Sequence, residues 1–313
     1  MLVETLESCP ICRGKESRKV PFPVGRIGES AFGDSMQSFG LEKCGGCGVV
    51  FTNPRPGPEL LGLFYAGDHY EPHSHVNRYN SNKLWDYLLG RLSNYLPASP
   101  PIRFLDYGCG GGNLLEAASK MPGWQAQGYD VSARALRECA AHNLKATGNT
   151  DELPRGYFDG VLLNHVLEHV ADYEGTFQVL RSVLKPDGVL FIAVPNARSL
   201  RAMLALPGLT ERGITGDRFH AFPIHLAHFN ARALKTLLSN HGFDAIGAET
   251  YGFGVQDLLL KKPAGDGGRT RLAANGGANG QGGWKRAPKV MIKKVFFGSL
   301  LGENLLMAAR LRG

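Results

Sequence analysis

The chain has no apolar run approaching the roughly 18 residues that a membrane span needs, and no leader-like apolar segment opens it. A cytoplasmic protein is therefore expected. Cysteine is sparse: there are six in 313 residues. Four of them fall in two Cys-x-x-Cys pairs, while Cys109 and Cys139 stand alone. That pattern excludes a disulfide framework and points to a reducing compartment. Acidic side chains are outnumbered, 28 against 35 Lys and Arg, for a net charge of +7. The imbalance is local. Eleven Lys/Arg and only two Asp/Glu lie between Lys261 and Gly313, so the tail carries +9 and the rest of the chain −2. A near-neutral body argues against a basic nucleic-acid groove across the protein.

What cysteine there is has a purpose legible in its spacing. Cys9-Pro-Ile-Cys12 and Cys44-Gly-Gly-Cys47 each place two thiolates on a tight knuckle, with 31 residues between them. Four thiolates complete a tetrahedral zinc shell. Cys9, Cys12, Cys44 and Cys47 are thus expected to hold a structural zinc ion in a module spanning residues 1–55. A shell closed by four cysteines leaves no coordination position for chemistry.

Beyond the module, residues 56–100 read as helical linker or lid, with Trp85, Leu88, Leu89, Leu92 and Leu96 at helical spacing. The run Tyr65-Ala-Gly-Asp-His-Tyr70 has two readings, a surface turn or a cover over a ligand. From residue 101 to 261 strand and helix patterns alternate. Strands are expected at 102–107, 124–129, 144–147, 158–163, 189–194 and 243–250. Helices are expected from 113, at 132–143 behind a Ser132 cap, at 173–184 and at 231–240. Residues 262–284 are a Gly-rich linker expected to be disordered. Residues 285–313 read as a basic helix followed by a final strand at 303–310 that returns beside the sixth. The fold class is α/β, a Rossmann-like doubly wound sheet of seven strands, the last antiparallel, with a small N-terminal zinc-binding module.

The most informative stretch is Phe104-Leu-Asp-Tyr-Gly-Cys-Gly-Gly-Gly-Asn113, a strand entering a glycine turn that opens a helix. Such a turn exposes bare backbone N–H groups at a helix N-terminus. A dinucleotide would set its pyrophosphate in this corner, where Asp106 would repel it. A cationic ligand would be attracted. Asn113 also stands where the third glycine of the dinucleotide fingerprint belongs. S-adenosylmethionine, with its sulfonium and ammonium, suits the pattern better than NAD. Asp130 follows Gly108 by 22 residues, at the end of the second strand, where a carboxylate can accept both ribose hydroxyls.

A further block, Phe158-Asp-Gly-Val-Leu-Leu-Asn-His-Val-Leu-Glu-His-Val170, delivers Asn164 and His165 to the carboxyl edge of the sheet. Glu168 and His169 are expected to begin the next helix. Taken with Leu184-Lys-Pro-Asp-Gly188 and Val194-Pro-Asn196, these blocks resemble the class I S-adenosylmethionine-dependent methyltransferases, and among them bacterial members with an N-terminal zinc-binding module. The resemblance covers most of residues 5–255. It implies that Asp106, Gly108, Cys109, Gly110, Gly112 and Asn164 hold S-adenosylmethionine, with Asp130 on the ribose and Asp151 or Glu152 beside adenine. It also implies a small-molecule acceptor, a hydroxyl or carbon of a sugar, nucleotide-sugar or related metabolite, in a pocket built by residues 196–230.

Methyl transfer needs an aligned nucleophile and, for a hydroxyl, a general base. The histidines of His220-Ala-Phe-Pro-Ile-His225-Leu-Ala-His228 lie in that pocket segment, and His225, His228 and His165 are the candidates. The alternative for His228 is a structural role beside Phe229. Two other functions stay open: an RNA methyltransferase docking through its zinc knuckles, and a non-enzymatic zinc-ribbon interaction protein. The chain lacks the Asn/Asp-Pro-Pro-Tyr/Phe block common in amino-directed nucleic-acid methyltransferases, having Asn164-His165-Val166-Leu167 in its place. The tail from Lys285 to Leu301 interleaves basic and apolar residues, and reads as a helix on the sheet or as a peripheral membrane contact.

Overall fold

A computed structural model describes residues 2–20, 38–66, 78–199, 223–251 and 302–313. The expected cover at residues 67–70, His220, the Gly-rich linker 262–284 and the basic segment 285–301 lie outside the described residues. No described helix is long and apolar enough to cross a membrane.

The N-terminal region supplies five short strands: β1 (Val3–Glu4), β2 (Ser17–Lys19), β3 (Leu41–Cys44), β4 (Val50–Thr52) and β5 (Arg55–Pro56). The stretch expected as one helical linker is two helices, α1 (Pro58–Ala66) and α2 (Arg78–Leu92). The chain then alternates through β6 (Ile102–Tyr107), α3 (Asn113–Ser119), β7 (Trp124–Tyr129), α4 (Ala133–Ala141), β8 (Ala146–Thr147), β9 (Phe158–Asn164), α5 (Tyr173–Val183) and β10 (Leu184–Pro195). It finishes with β11 (Ala227–His228), α6 (Ala231–Asn240), β12 (Phe243–Tyr251) and β13 (Asn304–Leu311).

Seven strands form the main sheet in the order β12-β13-β10-β9-β6-β7-β8. β13 inserts antiparallel between β12 and β10, pairing Leu306 with both Ala193 and Glu249. The Rossmann-like sheet with its antiparallel final strand is therefore as expected, and β13 lies one residue later than the pattern indicated. The Lys185–Gly188 turn sits inside the span of β10, whose register with β9 breaks between Leu184 and Val189.

Successive side chains in a strand point to opposite faces, and the sequence exploits this. Val161, Leu163, Leu190, Ile192 and Val194 face one core with Phe177 and Leu180 of α5 and Leu234 and Leu237 of α6. Their neighbours Leu162, Val189, Phe191 and Ala193 face the other, with Leu88, Leu89 and Leu92 of α2 and Leu114 of α3. Both faces are apolar, which explains why these strands read as unbroken hydrophobic runs. Helix starts are set by side-chain caps: Ser132 accepts from Ala135 N–H, Asp172 from Gly175 N–H and Asn230 from Ala233 N–H.

The N-terminal module is joined to this body through one extra strand. β11 pairs with β4, His228 opposite Val50 and Ala227 opposite Phe51, completing a second sheet in the order β11-β4-β3-β2. Ile11, Val49 and Phe51 of the module share a core with Phe229 and α6. Asn230 both caps α6 and donates to Gly48 O at 2.9 Å. Phe229, fully buried beside Tyr173, sits at this junction. Phe229→Ala is expected to cost about 3–5 kcal/mol, read from the midpoint of urea denaturation.

Candidate functional site

The glycine turn after β6 is shaped by positive φ angles: 84° at Gly108, 52° at Gly110 and 85° at Gly112. A Cβ on Gly108 would lie 2.3 Å from Val166 Cγ2, whereas one on Gly110 would meet nothing within 4 Å. The turn is thus packed behind Gly108 and open in front of Gly110. Gly108 and Cys109 donate their N–H groups to Tyr129 O at 2.7 and 3.0 Å, which ties the turn to the end of β7.

Two carboxylates flank it. Asp130 accepts Gly110 N–H on Oδ2 and Ser132 N–H on Oδ1, both at 2.8 Å. These bonds fix its orientation and leave further lone pairs for a ligand's hydroxyls. Burial raises its pKa, and the two N–H bonds oppose that rise. Asp106 is 2% exposed. Burial first, and the negative Asp130 second, push its carboxyl up to about 7. The site is a hole for positive charge: a cation beside Asp106 would relieve both causes.

The turn opens on a cavity of about 430 Å³ lined by Tyr107, Gly108, Tyr129, Asp130 and Val131, by His165, Val166, His169 and Val170, by Asp172, Thr176 and Val179 at the start of α5, and by Tyr65 of α1. Tyr107 and Tyr129 pack ring against ring, with centroids 4.6 Å apart. Of the residues singled out in the sequence, Gly108, Asp130 and His165 border this cavity directly. Asn164 ends β9, with its Oδ1 buried and accepting no hydrogen bond among the described residues. Cys109 turns its thiol the other way, 3.9 Å from Cys139 Sγ, into a small cluster with Leu115. Asp151 and Glu152 stand on a short helical turn, Glu152 accepting from Thr147 Oγ1, and neither lines the cavity.

His165 has φ 56°, a left-handed conformation unusual outside glycine. Its Nδ1 lies 3.3 Å from Glu168 Oε1. Glu168 and His169 do not begin a helix, as the pattern had suggested. They occupy a single 3₁₀ turn, Leu167–His169, and α5 starts four residues later behind Asp172. His225 and His228 are 8% and 5% exposed and stand behind the cavity. The His225 ring lies 4.6 Å from His169 and 5.8 Å from His228, centroid to centroid. The chain holds His225 by backbone bonds on both sides. Thr52 Oγ1 donates to His225 O at 2.9 Å, and Leu226 N–H donates to Glu168 O at 2.7 Å. Sequence reading missed the α5 wall at Thr176 and Val179, and no local signal marks it.

A second cluster lies in the N-terminal module. The sulfurs of Cys9, Cys12, Cys44 and Cys47 all lie within 4.8 Å of one another, with Cys9–Cys47 at 3.7 Å and Cys12–Cys44 at 3.5 Å. A tetrahedral ion with bonds of about 2.3 Å to sulfur places its ligands about 3.8 Å apart, so the donor set fits. The first knuckle is closed by Cys9 N–H to Gly14 O and Arg13 N–H to Cys9 O, both 2.9 Å.

A parallel sheet with its switch point at an open glycine turn, flanked by two buried carboxylates, defines a nucleoside-binding domain built for a cationic ligand. Residues 76–247 match the sequence model of a family described as "Methyltransferase domain", and the chain belongs to that family. Its Rossmann-like domain is an S-adenosylmethionine-dependent methyltransferase domain. The ubiquinone biosynthesis O-methyltransferase of Xanthomonas campestris pv. campestris (strain B100) is 33% identical over 134 residues, covering 39% of this chain and 53% of that protein. The protein of the same name from Cupriavidus pinatubonensis is 33% identical over 157 residues, 45% of this chain and 62% of that one. The chain spans about half the length of the first of these curated relatives. Among solved structures, a SAM dependent methyltransferase from Archaeoglobus fulgidus aligns with 73% of this chain and 94% of that one at 20% identity and a TM-score of 0.46.

Gly108→Ala tests the packed side of the turn. The positive φ and the clash with Val166 together are expected to cost about 2–5 kcal/mol, measured by chemical denaturation.

Proposed function

We propose that the protein transfers the methyl group of S-adenosylmethionine to a small-molecule acceptor, and specifically to a hydroxyl. The carrying observation is the pair of buried carboxylates, Asp106 and Asp130, at a glycine turn whose cavity also holds a histidine, His165. The relatives named O-methyltransferases support oxygen as the acceptor atom. A sugar or nucleotide-sugar hydroxyl stays within that class.

The donor brings an already activated methyl group, and the protein's task is to bind, align and exclude water. Asp106 takes the ammonium, Asp130 the ribose hydroxyls, and the open face at Gly110 admits close approach of the ligand. Asn164 offers its buried oxygen at the carboxyl edge of β9. His165 is the base of choice because it borders the cavity, and Glu168 Oε1, 3.3 Å from its Nδ1, can hold the orientation of the ring. His225 and His228 sit behind it.

We read the four-cysteine cluster as a structural zinc site. Bound zinc would supply folding energy and no chemistry. Through β4 it would fix β11 and so the segment that carries His225. The purified protein is expected to carry zinc that Cys44→Ser loses, with stability falling by roughly 5 kcal/mol or more. Equal zinc and equal stability in the two proteins would remove this reading.

Calorimetric titration with S-adenosylhomocysteine, with NADH as control, tests the donor site. Micromolar binding of the former alone is expected. The Asp106 shift fixes the pH dependence. Its folded value near 7 lies above the unfolded value of 3.8. The ligand-free protein therefore binds a proton there below about pH 7, and its stability falls as pH rises from about 4 through 7. An ammonium favours the ionised form, so affinity should drop roughly tenfold per pH unit below 7 and level off above it. Asp106→Asn should bind weakly with a flat profile. An unchanged affinity in the variant would sink the assignment.

A further inference from the structure

We infer that Cys109 and Cys139 are an oxidisable thiol pair, which a peroxide closes to a disulfide that staples the glycine turn to α4 and weakens nucleoside binding. The two residues lie 30 positions apart, one in the turn after β6 and one at a buried position of α4. Their sulfurs stand 3.9 Å apart. They share a small cluster with Leu115, flanked by Leu144 and Ala146.

The independent observation is the room that the backbone makes for both sulfurs. A Cβ on Gly128 would lie 2.7 Å from Cys109 Sγ, and one on Gly112 would lie 3.0 Å from Cys139 Sγ. Each sulfur thus rests against a bare glycine, where a larger residue would displace it. The Cys139 thiol also donates to Gly110 O at 3.4 Å, which ties α4 to the turn. Cys139 is fully buried and Cys109 is 8% exposed, so the pair meets solvent at the turn, through an opening that suits a small oxidant. Where thiols are kept reduced, a disulfide is transient and catalytic or redox-sensing.

The Cys109 S–H faces Cys139 Sγ, and that hydrogen bond lowers the Cys139 thiol pKa, which favours the thiolate as nucleophile. Cys139 Sγ attacks one oxygen of hydrogen peroxide. The O–O bond breaks, and the leaving hydroxide departs as water with the proton that Cys139 gave up. Cys139 then carries a sulfenic acid. Cys109 Sγ attacks that sulfur, the S–S bond forms and the S–O bond breaks. The hydroxide takes the Cys109 proton and leaves as a second water. Two thiols lose two electrons and two protons, and one peroxide becomes two waters.

A disulfide needs its sulfurs at about 2.05 Å, roughly half their separation here. The α4 end is held, because Leu144 N–H donates to Cys139 O at 2.9 Å. The turn is the compliant side, since Cys109 lies between Gly108 and Gly110. Drawing Cys109 toward α4 pulls on its N–H bond to Tyr129 O. It also pulls on Gly110 N–H, whose bond to Asp130 Oδ2 orients that carboxylate. The staple acts on the donor site from behind, without entering the cavity. This consequence rests on the methyl-donor reading; the disulfide does not.

Hydrogen peroxide added to the full-length, zinc-loaded protein tests the pair. Free thiols are then blocked with N-ethylmaleimide, and the tryptic peptides are weighed. Peptides 104–120 and 138–145 should appear joined, two hydrogens lighter than their sum. Affinity for S-adenosylhomocysteine should fall roughly tenfold or more on oxidation and return with dithiothreitol. Cys139→Ser keeps a donor for Gly110 O. It should bind as the reduced wild type does and hold that affinity through the same peroxide treatment, which separates the pair from the module's cysteines. Absence of the joined peptides overturns the inference, as do joined peptides with unchanged affinity or an equal loss in Cys139→Ser. A reduced wild type that binds no nucleoside removes the donor reading, and the joined peptides alone then decide the pair.

Discussion

The arrangement of the cavity edge depends on a few backbone hydrogen bonds around Leu226. Its N–H donates to Glu168 O at 2.7 Å, and its carbonyl accepts Thr52 N–H at 3.0 Å. One residue thereby ties the turn after β9 to the N-terminal module. On either side, Thr52 Oγ1 holds His225 O, and Ala227 and His228 extend the module's sheet. These groups are buried, so each unmade bond would leave a desolvated donor or acceptor. The register is therefore strongly specified. Shifting β11 by one residue would exchange the faces of His225 and Leu226, removing a histidine from the site and placing an apolar chain against Glu168.

The same edge concentrates carboxyl groups. Asp106, Asp130 and Glu168 are all buried. Where the chain wants a buried carboxylate satisfied, it supplies a partner: Lys185 reaches Asp159 and Arg103 N–H donates to it at 2.8 Å. At Asp106 the opposite is built, with a second carboxylate nearby raising the cost of ionisation. A fold tolerates such sites when a ligand brings the missing charge, and the energy withheld in the empty state returns as affinity. That contrast between Asp159 and Asp106, two buried aspartates in one sheet, separates a structural carboxylate from a binding one.

Much of this was legible in the sequence because it is local. Two-faced hydrophobic runs gave the strands, Ser132 gave a helix start, and Asp106 before Gly108 marked a carboxylate at the glycine turn, which the structure buries beside Asp130. Two matched cysteine knuckles gave a tetrahedral donor set. What could not be read is set by contacts far apart in the chain. Nothing in Leu226-Ala-His228 announces a partner at residues 50–52. Glu168-His169 followed by Asp172 looks like a helix start, because the pattern cannot show that the cap belongs to Asp172 and that the preceding turn is separate. His225 and His169 share a corner for the same reason, through a bond between residues 226 and 168. The glycine turn misled at one point: Cys109 is part of the motif by position, yet its side chain serves the packing against Cys139 and α4.

The two clusters divide the work by their geometry. Four sulfurs at tetrahedral spacing enclose their centre and can only position what surrounds them. Of Glu168, His169 and His225, grouped beside the turn after β9, His169 alone reaches the cavity wall. Position flows from the first to the second through β4 and β11, so the closed cluster controls where His225 stands without touching the reacting atoms. The glycine turn is fixed by its own φ angles and by Tyr129, and it meets the turn after β9 where Val166 packs behind Gly108. Changes in the module should therefore reach His225 first, through β4 and β11, and the glycine turn only through the turn after β9.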